Sequence, residues 1–280
     1  MTTFKITCLA ENTTYRHNCL AQHGQSFLIE TDGYKLLFDV GEVPGAVEYN
    51  LNQLGISLDE INDVLISHRH IDHVGALNEI LPKLNKQRLF LPIQLGEDDI
   101  KNHPYKYNFL KKDNEDQYNL AISKKDLSVI ENYQYKNIIS NDGVELRDSI
   151  FSTGCIGEPM SEQAVVIDQG DLGITLILGC SHPGVEPLIK KAMEATKNNK
   201  LRGIIGGMHY TDFSNEEMIT HATNLKQLNP EFITPGHCTT IQGCSVLSEI
   251  IGKSVILSTT GSFGAGNSVI LGEKIEFEFV

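Results

Sequence analysis

The chain has 280 residues, 40% hydrophobic and 21% charged, a composition suited to a soluble globular protein with a sizeable core. Its 23 basic residues against 36 acidic ones give a net charge of −13, which argues against a nucleic-acid partner because phosphate binding needs clustered Lys and Arg. No apolar run approaches the roughly 20 residues that span a bilayer, and "MTTFKITCLAENTT" does not read as a signal peptide.

In chain order, "SFLIETDGYKLLFDVG" (26–41) places Asp32-Gly33 between two apolar runs and predicts a hairpin. Helical "AVEYNLNQLGI" then leads to the apolar strand "DVLIS" and to "SHRHIDHVGAL" (67–77), where Val74, Leu77, Ile80, Leu81 and Leu84 recur at helical spacing. Residues 97–137, rich in Asn, Lys, Asp and Tyr, read as an inserted cap with a short helix starting near Ser123. "NIISNDGVELRDSIFSTG" returns to strands, and "AVVIDQGDLGITLILG" (164–179) predicts a second hairpin, a weak duplication of the first. Helical "EPLIKKAMEAT" precedes the strand "LRGIIGG", and helical "EEMITHATNLKQL" precedes "EFITPG". Near the end, "GSFGAGNS" (261–268) reads as a tight loop. Helices followed by short, nearly continuous apolar runs mark buried strands of an α/β sheet. No linker divides the chain, so one domain over 1–280 is expected.

Functional residues of such sheets gather beyond the carboxyl ends of strands. Four predicted strands each deliver a histidine there: His68, His182 in "GCSHPG", His209 in "GGMHY" and His237 in "TPGHC". His68 and His70, two apart in extended backbone, point the same way, while Asp72 and His73 sit where the chain turns into a helix. Two ligand pairs facing a common point suit zinc, manganese or iron. His17, His103 and His221 lack such a setting, whereas His23 in "AQHGQS" precedes a strand and could face the cleft. The six cysteines form no C-x-x-C pair, which favours free thiols in a reducing compartment, the cytoplasm.

"HRHIDH" fits the H-x-H-x-D-H signature, and the chain resembles the metallo-β-lactamase superfamily. With "HGQSFLIETDG", "LLFDVG", "LGCSHPGV", "IIGGMHY" and "TPGHC", it is most similar to the branch named for dihydropterin-type phosphate synthases. The resemblance implies a four-layered αββα sandwich and two divalent ions, with zinc the expected metal and manganese or iron alternatives. It assigns His68, His70 and His182 to one ion and Asp72, His73 and His237 to the other. Asp39 in "FDVG" would orient a ligand. Where many relatives carry a bridging aspartate in a "GD", this chain has Gly179-Cys180, leaving Cys180 as a bridging candidate. His209 has no equivalent in the common pattern and is a candidate for substrate contact or proton transfer.

The expected chemistry is attack of a metal-bound hydroxide on an ester, thioester, lactone or phosphoester of a small metabolite. Asp72 would hold the nucleophile and His209 would donate to the leaving group. The alternatives are a dihydropterin-type phosphate synthase that displaces diphosphate, and a non-hydrolytic iron redox or ligand-binding relative. A serine hydrolase is disfavoured because no G-x-S-x-G occurs. A P-loop fails because "LSEIIGKS" has Leu247 where glycine must stand.

Overall fold

In the computed structural model, the described residues are 2–92, 129–130, 132–158, 160–253, 255 and 263–278. Strands β1 (Phe4–Ala10), β2 (Ser26–Thr31), β3 (Tyr34–Phe38), β4 (Asp63–Leu65), β5 (Arg88–Pro92) and β6 (Lys136–Ile139) build one side of a first sheet. Strands β7 (Val144–Arg147), β8 (Ile150–Ser152), β9 (Val165–Asp168), β10 (Ile174–Leu178), β11 (Leu201–Gly206) and β12 (Phe232–Pro235) build a second. Then β13 (Ser268–Leu271) and β14 (Ile275–Glu278) return to the first, whose order is β14-β13-β1-β2-β3-β4-β5-β6. The second runs β12-β11-β10-β9-β8-β7.

Side-chain alternation explains the layering. In β2, Phe27 and Ile29 face a core shared with Ile167, Ile177, Ile205 and Phe232 of the second sheet. The intervening Leu28 joins Leu37 and Val64 under helices α1 (Ala46–Gln53), α2 (Ile71–Val74) and α3 (Leu77–Ile80). On the other side Leu176, Leu178 and Ile204 pack under α4 (Val185–Thr196), α5 (Asn215–Gln227) and α6 (Thr240–Ile250). The result is a four-layered αββα sandwich, and both faces of its inner strands are buried, which is why those strands read as unbroken apolar runs.

Both expected hairpins form, β2–β3 around Gly33 at φ 68 and β9–β10 around the 3-10 turn Gly170–Leu172. The helical run after His73 is not one helix. It breaks after one turn, because the Asp72 and His73 carbonyls accept Gln25 N (3.2 Å) and Val40 N (2.9 Å), and Ala76 N donates to Gly41 O (3.3 Å). These bonds leave the i→i+4 ladder and pin the Asp72-His73 pair to the loops after β1 and β3. Gly75 permits the approach, since a Cβ there would lie 2.4 Å from Glu42 O.

Of the expected inserted segment, residues 97–128 and 131, with the helix start at Ser123, lie outside the described residues. Ile130 is buried among the α1–α3 residues, and Lys136 opens β6. Gly261 and Ser262 of the "GSFGAGNS" loop also lie outside the described residues.

Candidate metal centre

Four strand ends converge. The turn after β4 carries His68 and His70, and α2 carries Asp72 and His73. The turns after β10, β11 and β12 carry Cys180 and His182, His209, and His237. Asp72, His73, Cys180 and His237 form one group and His68, His70 and His182 another. Within each group the candidate ligand atoms all lie within 4.8 Å of one another. His68 Nε2 is 3.2 Å from His70 Nδ1, and His237 Nε2 is 3.0 Å from Asp72 Oδ2. Cys180 Sγ lies 3.2 Å from His73 Nε2 and so stands with the second group.

The partners of the far ring nitrogens decide which atoms can bind. Asp39 Oδ2 accepts from His73 Nδ1 at 2.6 Å and also from the Ser67 hydroxyl at 2.7 Å. With its proton given to Asp39, Ser67 Oγ accepts from His68 Nδ1 at 2.9 Å. Glu162 Oε2 accepts from His182 Nδ1 at 2.9 Å, and Asn12 Oδ1 from His237 Nδ1 at 3.3 Å. All four rings therefore keep a proton on Nδ1 and turn Nε2 into the cluster as the atom that would ligate. Against their burial, Asp72 and Asp39 raise His73 to about 9 and Asp72 raises His237, so a bound cation would displace the second proton of these two rings. His182 Nε2 is buried and has no hydrogen-bond partner among the described residues, as an atom reserved for a ligand would be. Burial first, then the neighbouring imidazoles of His73, His182 and His70, hold His68 well below the usual histidine range, in the neutral form that ligates. Burial would raise Asp72, but His73 and His237 outweigh it and hold the carboxyl well below its usual range, so it stays an anion. The donor set of imidazoles, a carboxylate and a thiol fits zinc, manganese or iron.

Buried anchors outside the motif hold these turns. Glu162, fully buried, accepts from the backbone N–H groups of Cys180 (2.8 Å), Ser181 (2.7 Å) and His182 (2.8 Å). Burial opposes its ionisation, yet His182 and these amides keep its pKa lowered. Glu11 anchors the turn after β12 in a similar way, accepting from His237 N at 2.7 Å. Gln25 donates to Leu178 O at 2.5 Å and Gln163 to Ile66 O at 2.9 Å, tying the two sheets together beneath the cluster. Neither "SEQAV" nor "LAENT" carries a local signal for these roles, because a carboxylate that gathers backbone amides needs no particular neighbours. Strain collects here as well. Asp39, Ser181, His209, His237 and Thr240 all have φ between 51° and 66°, a region costly for side-chain-bearing residues.

His209 lies outside the two main groups. It forms a third with Cys180 and His182, its ring 4.3 Å from that of His182, and its Nε2 is 3.2 Å from Asp212 Oδ2. The ring of His23 lies 5.7 Å from that of His237 on the exposed side, with Nδ1 3.0 Å from Glu42.

This arrangement of sheets and site is the metallo-β-lactamase fold. The crystal structure of Tm1679, a metal-dependent hydrolase of the β-lactamase superfamily, matches with a TM-score of 0.68 over 96% of this chain and 98% of that one, at 21% identity. A diphosphatase of the PhnP family matches with a TM-score of 0.55 over 97% of this chain and 98% of that one, at 12% identity. In sequence, the chain is similar to 7,8-dihydropterin-6-methyl-4-(beta-D-ribofuranosyl)-aminobenzene-5'-phosphate synthase of Methanocaldococcus jannaschii. The two are 29% identical over 269 residues, 84% of this chain and 87% of that protein. A family model for the anti-Pycsar protein Apyc1 matches residues 14–98, the stretch that holds His68, His70, Asp72 and His73.

Proposed function

We propose that the chain is a divalent-metal-dependent hydrolase acting on a phosphoester of a small metabolite. The observation that carries this reading is the set of four histidines whose Nδ1 protons are all tied back, leaving their Nε2 atoms to converge with an anionic Asp72. His68, His70 and His182 would hold one ion, and Asp72, His73 and His237, with Cys180 beside them, the other. Bound there, divalent ions would acidify water to a nucleophile at neutral pH and neutralise charge on a departing oxygen. Asp72 accepts from and orients the attacking water. His209, held against Asp212, carries the proton for the leaving group. A phosphorylated substrate agrees with the named synthase and diphosphatase among the similar proteins, and paired cations would offset the repulsion of an acidic chain for such an anion. The six free cysteines suit the reducing cytoplasm.

The likeness to the phosphate synthase over most of the chain favours a second reading, a transferase that displaces diphosphate from an activated pterin. Metal analysis of protein purified without added metal, with turnover of bis(p-nitrophenyl) phosphate, tests the first. Zinc or manganese with turnover, both lost in His70→Ala, is the expected result. Iron without hydrolysis, or unchanged metal content in His70→Ala, would overturn it. Diphosphate release only when a pterin diphosphate and an acceptor are both supplied would establish the second.

A further inference from the structure

A second polar cluster, buried at Tyr210 and His221 and half-exposed at Glu186, lies beside the metal centre. Tyr210, 1% exposed, follows His209 directly and opens the 3-10 turn Tyr210–Asp212. Its hydroxyl is 2.6 Å from His221 Nδ1, and His221 Nε2 is 2.8 Å from Glu186 Oε2. A carboxylate can only accept, so His221 Nε2 carries the proton and the Tyr210 hydroxyl donates to Nδ1. Burial, then the nearby Glu186, raises the Tyr210 pKa, in keeping with a phenol that remains a donor. The three residues come from the β11–α5 turn, from α5 and from the first turn of α4.

We infer that Glu186, His221 and Tyr210 are a positioning relay, running from the half-exposed Glu186 to the buried Tyr210, that fixes His209 in the cleft. His209 has left-handed backbone (φ 51, ψ 44), which must be held from outside. Towards the metal centre, His209 N donates to Cys238 Sγ at 3.3 Å and Thr211 Oγ1 to Cys238 O at 3.1 Å. On the far side Tyr210 is the only side chain of the turn that enters the core. Its ring stacks on Phe213 at 5.2 Å, and Gly243 of α6 leaves it room, since a Cβ there would lie 2.4 Å from Tyr210 Cδ2. A shift of Tyr210 is therefore passed to His209 through one peptide unit. Among the described residues, no hydrogen bond joins the relay to His68, His70, Asp72, His73, His182 or His237, so it acts through His209 and not on the two main ligand groups. This inference rests on the reading of His209 as a substrate-facing group.

Two measurements test it. Histidine-selective NMR, with the His209 signal assigned through His209→Ala, reports position without any turnover. Tyr210→Phe, His221→Ala and Gly243→Ala should shift or broaden that signal, and His221→Gln, which can still accept from Tyr210 and donate to Glu186, should restore it. In the phosphodiesterase assay the same variants should lose about tenfold or more in kcat, with KM and metal content unchanged. The His209→Ala/His221→Ala double variant should be no slower than His209→Ala alone. An unchanged His209 signal in both Tyr210→Phe and His221→Ala overturns the inference, as does kcat loss that tracks metal loss, or additive losses in the double variant. If the wild-type protein hydrolyses no ester, the hydrolase reading fails while the NMR result still decides the relay.

Discussion

Replacing Glu162 by Gln tests whether a residue outside the metal motif sets the ligand state of His182. The two carboxylate oxygens accept four N–H groups, from Cys180 and Ser181 at Oε1 and from the backbone and ring of His182 at Oε2. A glutamine amide keeps one acceptor and turns an NH2 towards two of those donors. If the NH2 faces the Cys180 and Ser181 amides, both are left unsatisfied. If it faces His182, the ring must move its proton from Nδ1 to Nε2 to accept, and that removes the lone pair the first group needs. Two hydrogen bonds to a charged acceptor are worth roughly 1.5–3 kcal/mol each. Relief of a buried charge offsets part of this, leaving a net loss of about 2–4 kcal/mol. That corresponds to a fall in melting temperature of roughly 5–15 °C. Zinc affinity of the first site, read by competition with a chromophoric chelator, should fall about 10–100-fold. Wild-type affinity and an unchanged melting temperature in Glu162→Gln would refute the reasoning.

Other consequences are simpler to read. Gly203→Ala would set a Cβ 2.1 Å from Phe232 Cε1, so calorimetry should show a loss of about 1–3 kcal/mol with no change in metal content. Cys238 is the one cysteine not fully buried, and burial, then Glu11, pushes the Cys244 thiol up to about 12. A thiol reagent at neutral pH should therefore titrate one group in the native protein and six after denaturation, and rapid native reaction of a second thiol would contradict this burial. Burial raises the Glu186 carboxyl, but His221 outweighs it and the pKa is lowered from 4.5. A depressed carboxylate pKa adds stability that is present above the unfolded value and lost as pH falls through the folded one. Urea unfolding across that range should show a shallower acid limb in Glu186→Gln than in the wild type, and identical slopes would exclude a stabilising ionised Glu186.

Local patterns in the sequence already carried much of this protein. The apolar runs and turn residues of both hairpins, the helix–strand alternation and H-x-H-x-D-H are short-range features, set by backbone geometry and by burial on one or both faces of an element. They placed His68, His70, Asp72, His73, His182, His209 and His237 at strand ends, and the fold gathers them at one site. The tertiary structure decided how that site is held. Glu11 meets His237 across 226 positions and Gln25 meets Leu178 across 153, contacts between backbone amides and carboxylate or amide groups that leave no periodic trace. The helix after His73 breaks because its carbonyls find partners in distant loops, which helical spacing cannot reveal. The sequence also left open which nitrogen of each histidine faces inward. That depends on the acceptor behind the ring, and Asp39, Ser67, Glu162 and Asn12 reach those places only when the two sheets close on each other.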